Sequence, residues 1–368
     1  MIMNPAKNFL GAAVMLYLGL GTAQAQMTLG LAAGVDRIDN PLLDAVNPGG
    51  VTLLHVEPTY AFVWESDQVR QRFSAGAVIE RSSNTALLAS REYPSLGYTW
   101  GYTWPTSTLE LRAALTDSAT RNTEFEDTGR VIIDTRERTV EAGVRWDQEI
   151  TARTRLVLEL SSGRSRFDSA LVEGYREQRL TSRFNWEANE RLVYFFEPSY
   201  QRLLPSGSSP DASQSRWMLG VRGDLSSEWS LVAAAGHARA RGSRESKGTV
   251  SQLQLTYTGR LVTTGVEWSR DVAAGGTESA YVTTQAMGLR VGYRMAERSM
   301  LRFSYSQSRS EGGAGGRGSA VGLTWEQELG ANWTSTVGIE ERRSKDETGS
   351  TGKGRAIRAG LTYAYPGR

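Results

Sequence analysis

Candidate catalytic residues are sparse in this chain of 368 residues, which contains two histidines, His55 and His237, and no cysteine. A serine hydrolase needs a histidine beside its nucleophile. Ser162, Ser182 and Ser335 each lie in an alternating apolar segment, but the sequence places neither histidine beside any of them. Walker A, HExxH and Cys/His metal-binding spacings are also absent from the sequence. The sequence therefore predicts no catalytic residues, no cofactor and no metal, and hence no enzyme.

Two polar stretches deserve comparison with known site types. Asp36, Asp39 and Asn40 carry oxygen ligands of the kind that Ca²⁺ prefers, but acidic side chains in a solvated loop are the favoured interpretation. The segment "DETGSTGKG" at Asp346–Gly354 imitates a phosphate-binding loop. It connects two alternating segments instead of following a buried strand, so we interpret it as a flexible loop.

The dominant pattern of the chain is alternation of apolar and polar residues. In "LGYTWGYTW", Leu96, Tyr98, Trp100, Tyr102 and Trp104 share one face, while glycine and threonine occupy the other. Successive side chains of a β-strand point to opposite faces, so this spacing predicts a strand with one apolar face. About 18 such segments follow one another between Met27 and Tyr365.

The connections between these segments alternate in length. Short ones are predicted at six places, including Glu65–Gln68 and Ala296–Arg298, and long polar ones at Asp36–Gly50, Asp117–Thr135, Arg202–Ser213, Asp271–Ala280, Ser308–Gly318 and Ser344–Lys353. A soluble β-sandwich also alternates, but it requires neither so many strands nor this regularity. The predicted fold is all-β: a transmembrane antiparallel up-and-down barrel of about 18 strands, with short periplasmic turns and long extracellular loops.

The N-terminal residues resemble a secretory signal peptide. Lys7 precedes an apolar run from Phe9 to Leu20, and "AQA" at Ala23–Ala25 offers a cleavage site before Gln26. The run is too short to span a bilayer as a helix, which argues against an uncleaved anchor. We expect a signal peptide at residues 1–25, a barrel at residues 26–368, and location in the outer membrane of a Gram-negative bacterium.

Tryptophans recur at the predicted short-turn ends, on the apolar face. Aromatic belts of this kind mark the interface between lipid and water. The predicted periplasmic girdle consists of Trp64, Trp104, Trp146, Trp186, Trp229, Trp325 and Trp333.

The opposite face of the same segments is charged and is predicted to line a hydrated lumen. Its arginines and carboxylates can pair across neighbouring strands and stiffen the wall, or its arginines can attract anions such as uronate or phosphate groups. The near balance of the two signs leaves the charge of a solute open. The predicted lumen residues are Arg72, Arg112, Arg145, Arg179, Arg183, Arg216, Arg222, Arg290, Arg294, Arg302, Glu57, Glu110 and Glu197.

Two local motifs carry resemblances to known proteins. "RAGLTYAY", with Arg358, Gly360, Tyr363 and Tyr365, resembles the terminal-strand signal that the barrel-assembly machinery recognises. "GLAAGVDRIDNPLLDAVNPGG" at Gly30–Gly50, with its Asp39–Asn40 step and proline-containing loop, resembles the start of β-barrel porins encoded with bacterial exopolysaccharide systems. That resemblance implies an outer-membrane exit channel for a secreted polysaccharide, working beside periplasmic export proteins.

The leading functional hypothesis is therefore a passive channel for polysaccharide export through an Arg/Glu-lined lumen. The alternative is a general or solute-specific diffusion porin, and a third class comprises a closed structural barrel or a lipid-modifying enzyme. Expected partners are outer-membrane lipid, the polysaccharide and the barrel-assembly machinery. Nucleic acid is not expected, because no loop interleaves a basic patch with aromatic residues.

A repeated pentapeptide poses a structural question. "VEPTY" at Val56–Tyr60 and "FEPSY" at Phe196–Tyr200 each place a proline inside a predicted strand. Proline has no N–H to donate to a ladder, so we expect a missing ladder hydrogen bond and a local bulge or kink at Pro58 and Pro198. The register puts Glu57 and Glu197 in the lumen and both prolines towards lipid.

Overall fold

The chain forms 18 β-strands in a computed structural model that describes residues 24–121, 124–125, 131, 133–242, 245–274, 281–311, 316–346 and 348–366. The predicted signal peptide therefore falls almost entirely outside the described residues, and β1 begins two residues before the predicted cleavage site. The strands are β1 (Gln24–Asp39), β2 (Gly50–Glu65), β3 (Val69–Ser82), β4 (Arg91–Thr103), β5 (Ser107–Ala119), β6 (Arg136–Thr151), β7 (Thr154–Phe167), β8 (Tyr175–Asn189), β9 (Leu192–Pro205), β10 (Ala212–Asp224), β11 (Trp229–Arg241), β12 (Ser246–Thr258), β13 (Val262–Ala274), β14 (Tyr281–Ala296), β15 (Ser299–Glu311), β16 (Gly316–Glu328), β17 (Trp333–Asp346) and β18 (Thr351–Pro366).

Every strand pairs antiparallel with its neighbours in sequence, and β1 pairs with β18 from Thr28↔Pro366 to Asp39↔Arg355. This closure leaves no strand edge unpaired, as a barrel in lipid requires. The predicted transmembrane 18-strand barrel is confirmed. Within the described part of the chain, no helix is long and apolar enough to cross a bilayer.

The two ends of the barrel differ in their connections. One end has short turns throughout, such as 152–153 and 297–298, and the other has the longer segments, of which 120–135 is the longest and 40–49 the next. Several predicted long connections prove to be mostly strand. In the segment predicted as a loop from Ser308 to Gly318, β15 continues to Glu311 and β16 begins at Gly316. The prediction failed here because the ends of these strands are polar and have the composition of a loop.

The inner and outer faces follow from contacts between strands that are not neighbours. Arg216 on β10 donates to Asp271 on β13 at 2.7 Å, across two intervening strands. Side chains this far apart in the sheet can meet only on the concave side, so Arg216 lies in the lumen and Trp217 faces outward. The register carries this assignment around the barrel.

The outward face is apolar and exposed, as lipid-facing surface must be. Leu160 and Leu219 are 56% and 57% exposed. All seven predicted girdle tryptophans lie on this face towards the short-turn end, and three of them contact tyrosines of the next strand: Trp186–Tyr194, Trp229–Tyr257 and Trp333–Tyr363, at ring-centroid distances of 5.8, 4.9 and 4.8 Å. Their anchoring role in the membrane interface stays a prediction.

Pro58 and Pro198 each interrupt one of the two ladders of their strand. Pro58 keeps its partner Leu31 on β1, but the β2–β3 pairing omits it. Pro198 keeps Trp217 on β10, and the β8–β9 pairing omits it. The expected gap in the ladder is confirmed, but the bulge is wrong: the register is the same on both sides of each gap, so no residue is inserted. Because each proline residue still has a partner on its other neighbouring strand, the wall tolerates one missing ladder donor.

The wall turns sharply at β10–β13 because the inner side chains there are small. On β11, Ala234, Ala238 and Ala240 face inward, where they pack with Met218 and Val250 in an apolar cluster. Their size allows β10 and β13 to approach each other, so Gln214 donates to the carbonyl of Val272 in addition to the Arg216–Asp271 pair. This corner places charged residues of separate strands close together.

The close packing at β10–β13 predicts that a larger inward residue on β11 destabilises the barrel, whereas a larger outward residue has little effect. Ala238 is fully buried, so Ala238→Leu overpacks the corner and should lower the free energy of unfolding by about 1–3 kcal/mol. Ala235→Leu, on the same strand but outward and exposed, adds only lipid-facing surface and should change it little. Urea unfolding of the barrel in detergent micelles measures the free energy of unfolding of both variants. Equal destabilisation by the two substitutions would contradict close packing at β10–β13.

Candidate functional site

The segment 120–135 crosses the lumen. Near its start, the Arg121 guanidinium donates to both carboxylate oxygens of Glu80 on β3, at 2.8 and 2.7 Å. Farther along, the carbonyl of Phe125 accepts from Ser308 Oγ on β15 at 3.2 Å. β5, from which the segment emerges, and β15 are on opposite sides of the ring of strands. One segment can reach both walls only by passing through the lumen, so we call 120–135 the crossing loop.

The near end of the crossing loop is fixed by a buried ion network. Arg121 and Asp134 side chains are each 7% exposed, and Arg121 donates to Asp134 at 2.9 Å as well as to Glu80. Arg91 on β4 donates to the other oxygen and to the backbone carbonyl of Asp134, each at 3.0 Å. Burial alone would lower the pKa of Arg121, but the charges of Glu80 and Asp134 outweigh it and raise the pKa above its usual value.

The far end of the crossing loop is fixed by an aromatic contact. The guanidinium carbon of Arg342 on β17 lies 5.1 Å from the centre of the Phe125 ring, within cation–π range. Phe125 is buried at 5% exposure, although it lies in a loop. The contact of the ring with Arg342 and the hydrogen bond from Ser308 to the Phe125 backbone carbonyl together hold the loop against the opposite wall.

A second segment, 40–49, also folds inward, over β18. Asn40 adopts φ 50°, and its side-chain amide donates to the carbonyls of Asp44 and Lys353 at 2.8 and 3.0 Å. Leu43 approaches Gly352 so closely that a Cβ there would overlap its carbonyl. The Asp39–Asn40 step that carried the family resemblance therefore closes a local turn: Asn40 is nearly fully buried.

These inward segments leave separate hydrated cavities on either side of the crossing loop. A cavity of about 520 Å³ lies between segment 40–49 and the near wall, with Asp36, His55, Glu57, Arg121 and Arg358 among its lining residues. Another, of about 600 Å³, lies beyond Phe125 and is lined by Gln252, Gln254, Glu267, Arg290 and Ser306, among others. Both carry charged and polar groups and suit small hydrophilic solutes.

The predicted lumen residues lie on the inner face, and many form pairs across strands. Glu197 is buried between Arg183 and Arg216, and Arg112 donates to both Glu141 and Glu159, at 3.1 and 2.7 Å. The other pairs among the predicted residues are Arg179–Glu177, Arg290–Glu267 and Arg302–Glu326. Except for Arg179, whose partner lies on the same strand, these arginines link neighbouring or nearby strands, which was one of the two roles left open by the sequence.

The remaining predicted lumen residues carry no ion pair with any residue the structure describes: Arg72, Arg145, Arg222, Arg294, Glu57 and Glu110. Arg222 lies in the field of Arg183, Arg155 and Arg145, with Glu187 as the nearby opposing charge. Like charges held this close on one wall attract anions from solution. This group of four arginines near the short-turn end is a candidate anion-attracting surface, which we call the arginine group.

Neither the histidines nor the acidic motifs form a chemical site. His55 faces the lumen beside Gly34, and His237 faces outward opposite Trp217, as the register predicted. Asp36 pairs with Arg358, whereas Asp39 points the other way and accepts from Asn47. Across the described ranges, no cluster of acidic or histidine side chains could hold a metal ion.

In the Asp346–Gly354 segment, Asp346 closes a tight hairpin turn and β18 starts at Thr351, so it is not a long flexible loop.

The terminal-strand motif splits between the two faces. Arg358 and Gly360 face the lumen, where Arg358 donates to Glu340 at 3.0 Å, while Tyr363 and Tyr365 face outward. Their recognition by assembly machinery stays a prediction.

Sequence reasoning missed the residues that hold the crossing loop, namely Arg121, Phe125, Asp134 and Arg342. The loop itself was recognised at Asp117–Thr135, but its charged and aromatic residues looked like any polar connection. Only the length of the segment hinted at a special role, since long structured loops are commonly functional.

Comparison with known proteins identifies relatives by structure alone. No family model matches the chain, and a search of curated proteins also gave no match. Among solved structures, the outer membrane protein OpdK from Pseudomonas aeruginosa superposes with a TM-score of 0.55 at 12% identity over 93% of this chain and 99% of that one. OccK7 (OpdD) of the same organism gives 0.54 at 13% over 94% and 100%, and OccAB3 from Acinetobacter baumannii gives 0.52 at 9% over 93% and 99%. A structure of OpdK with vanillate is also similar. At these identities the likeness shows a shared barrel fold.

The buried network predicts that the crossing loop is released when Arg121 is removed. Arg121→Gln leaves Glu80 as a buried charge without its partner and leaves Asp134 with Arg91 alone, a loss of about 3–5 kcal/mol for the docked loop. Limited trypsin digestion of the barrel in micelles, followed by mass spectrometry, should show cleavage within 120–135 at least about 100-fold faster than in the wild type. Arg70→Gln, another lumen-facing arginine but an exposed one, is the control. Equally fast cleavage of the wild-type loop would show that it is not held.

Proposed function

We propose that this protein is an outer-membrane diffusion channel for small hydrophilic solutes, with a preference for anions. In this proposal the signal peptide 1–25 is removed on export, the short turns face the periplasm and the crossing loop enters from the outside. The barrel fold shared with the outer membrane protein OpdK of Pseudomonas aeruginosa supports a location in the outer membrane. The observation that carries the channel function is the crossing loop, which divides a polar lumen into passages without filling it.

The size of the passages favours small solutes. Cavities of about 520 and 600 Å³ beside the crossing loop are comparable to pockets for drug-sized molecules. The passage beyond Phe125 continues towards the short-turn end, because Gln254, Glu267 and Arg290 line both that cavity and a second one below it that reaches Arg302. A solute would meet amides, hydroxyls and one ion pair along this route, which can replace its hydration shell in steps.

The preference for anions rests on the arginine group. Arg145 and Arg222 form no ion pair with a described residue, and both face the lumen near the short-turn end, where Arg145 stands between Glu110 and Glu159 of the neighbouring strands. Most other lumen arginines are bound by carboxylates, whereas these two form no ion pair among the described residues and keep their guanidinium donors for an anion. An anion on the conductive path would meet them before it reaches the periplasm.

Polysaccharide export stays a prediction that these findings do not favour. The Asp39–Asn40 step behind it is accounted for by the turn that Asn40 closes. Arg121 and Phe125 of the crossing loop contact opposite walls, so the described residues of the loop narrow the lumen that a polymer would have to follow. The described residues offer no arrangement of catalytic side chains that would support an enzymatic role, because His55 and His237 lie on opposite faces of the wall.

A reversal-potential measurement tests this proposal. In planar bilayers under a KCl gradient, the wild-type channel should be anion-selective, and Arg145→Gln/Arg222→Gln should lower the anion-to-cation permeability ratio about fivefold, which corresponds to about 1 kcal/mol of lost attraction. The control Arg164→Gln/Arg176→Gln removes two outward arginines and should leave the ratio unchanged. No conductance would overturn the channel, whereas conductance with cation selectivity would overturn only the anion preference.

A further inference from the structure

The outward face of β15–β18 becomes strongly basic at the long-loop end. Ser308 and Arg342 contact the crossing loop inside the lumen, so their sequence neighbours point outward. The outward cations at this end form what we call the outer basic patch, consisting of Arg309, Arg317, Arg343, Lys345, Lys353 and Arg355. All six side chains are exposed.

The strand register sets like charges directly opposite one another in this patch. Arg309 faces Arg317, Arg317 faces Lys345, and Arg343 faces Lys353. Side chains directly opposite on one face lie about 5 Å apart at Cβ, and like charges in that position repel. Three such contacts in neighbouring strands weaken the sheet unless an anion, from the protein or from outside, lies between the two charges.

The protein itself supplies only part of the balancing charge. Glu341 receives Arg343, Lys353 and Arg355 at 2.7, 3.2 and 3.1 Å, and Glu311 lies 3.5 Å from Arg309. Arg317 reaches only the amide oxygen of Gln307, at 3.0 Å, and Lys345 forms no ion pair with any residue described. With Asp39, which stands opposite Arg355, the described residues supply three carboxylates against six cations and leave a net positive surface centred on Arg317 and Lys345.

The patch lies where lipid tails give way to headgroups. On each strand it follows the last lipid-facing apolar residue: Ile339 precedes Glu341 and Arg343, Ile357 follows Arg355, and Val321 lies two outward positions from Arg317. The short-turn end of the same face carries tryptophan and tyrosine instead, for example Trp333 against Tyr363. The outer surface is thus aromatic at one interface and cationic at the other, which fits a membrane whose two leaflets differ in charge.

Lysine usage points to the same end of the molecule. After Lys7 the chain has only Lys247, Lys345 and Lys353. All three lie on the outward face at the long-loop end, and Lys247 stands opposite Arg239 in the same way that Lys353 stands opposite Arg343. Flexible ammonium groups beside guanidinium forks suit closely spaced phosphates, which both groups bind.

We propose that the outer basic patch binds the phosphate groups of a phosphorylated glycolipid in the outer leaflet, with a phosphate seated between Arg317 and Lys345, which no described carboxylate bridges, and with Lys353 as the diagonal neighbour of Lys345 on β18. This inference rests on the outer-membrane location in the proposed function, but not on conduction. The bound lipid would neutralise the repulsion across β15–β18 and stabilise the barrel wall behind Ser308 and Arg342, to which the crossing loop is attached.

The test uses the full-length protein in detergent micelles and its thermal unfolding midpoint. Diphosphorylated lipid A at about 100 times its Kd should raise the wild-type midpoint by about 5 °C, and high salt should reduce the shift. Arg317→Gln/Lys345→Gln/Lys353→Gln should weaken binding about 100-fold. The control Arg153→Gln/Arg191→Gln/Arg260→Gln removes three exposed cations at the short-turn end and should behave as the wild type.

Several outcomes would overturn the proposal. An equal shift in both triple variants, an equal shift with dephosphorylated lipid A, or an equal shift with inorganic phosphate would each contradict glycolipid binding at this patch. A dimer that forms without lipid and is lost in the patch variant would assign the surface to a second copy of the chain. Bilayer conductance of the patch variant separates the two proposals: a conducting variant with no lipid shift removes only this inference, and a lipid shift without conductance removes only the channel.

Discussion

The buried ion pair between Arg121 and Glu80 is the interaction on which the interior of this barrel depends. It ties the start of the crossing loop to β3, and Asp134, bound to both Arg121 and Arg91, ties the end of the loop to β4. Burying these charges is favourable only because each has close partners. With the loop fixed at its base, Phe125 can reach Ser308 and Arg342 on the far wall. The lumen is therefore divided by a segment whose geometry is set at the wall.

The shape of the wall depends in turn on the size of its inward side chains. At β11 the inward residues are alanines, which lets β10 and β13 close together and pair Arg216 with Asp271. Elsewhere the inner face carries arginines bound to carboxylates of adjacent strands, such as Arg112 with Glu159. Small residues allow the close approach of β10 and β13, and cross-strand charges stiffen the rest of the wall, so the inner face contributes to the fold.

The alternation of residues was sufficient to predict the strand number, the closure and the face of almost every side chain. Period-two patterning is a local property, and one apolar face in contact with lipid leaves little freedom of register. The gaps at Pro58 and Pro198 could also be foreseen, because proline lacks the ladder donor. The absence of a bulge could not, since it depends on how the neighbouring strand continues past the gap.

The interior was much less predictable. Arg121 lies 41 residues from Glu80 and Phe125 lies 183 residues from Ser308, and no periodicity relates a loop residue to a wall residue on the opposite side of the ring. The same holds for Arg216 and Asp271, whose contact depends on small side chains between them. Sequence could predict that Arg145 and Glu197 face the lumen, but which arginines would be neutralised depends on distances across strands.

Cross-linking across the lumen tests the central claim most directly. The chain has no cysteine, so a Phe125→Cys/Ser308→Cys variant offers only the two introduced thiols to a short bis-maleimide reagent. If the crossing loop lies against β15, mass spectrometry of the digested barrel will show the peptides containing positions 125 and 308 joined within one molecule, while a Phe125→Cys/Ser208→Cys control stays unlinked. Two thiols that each react with a monofunctional maleimide but never become joined would contradict the account.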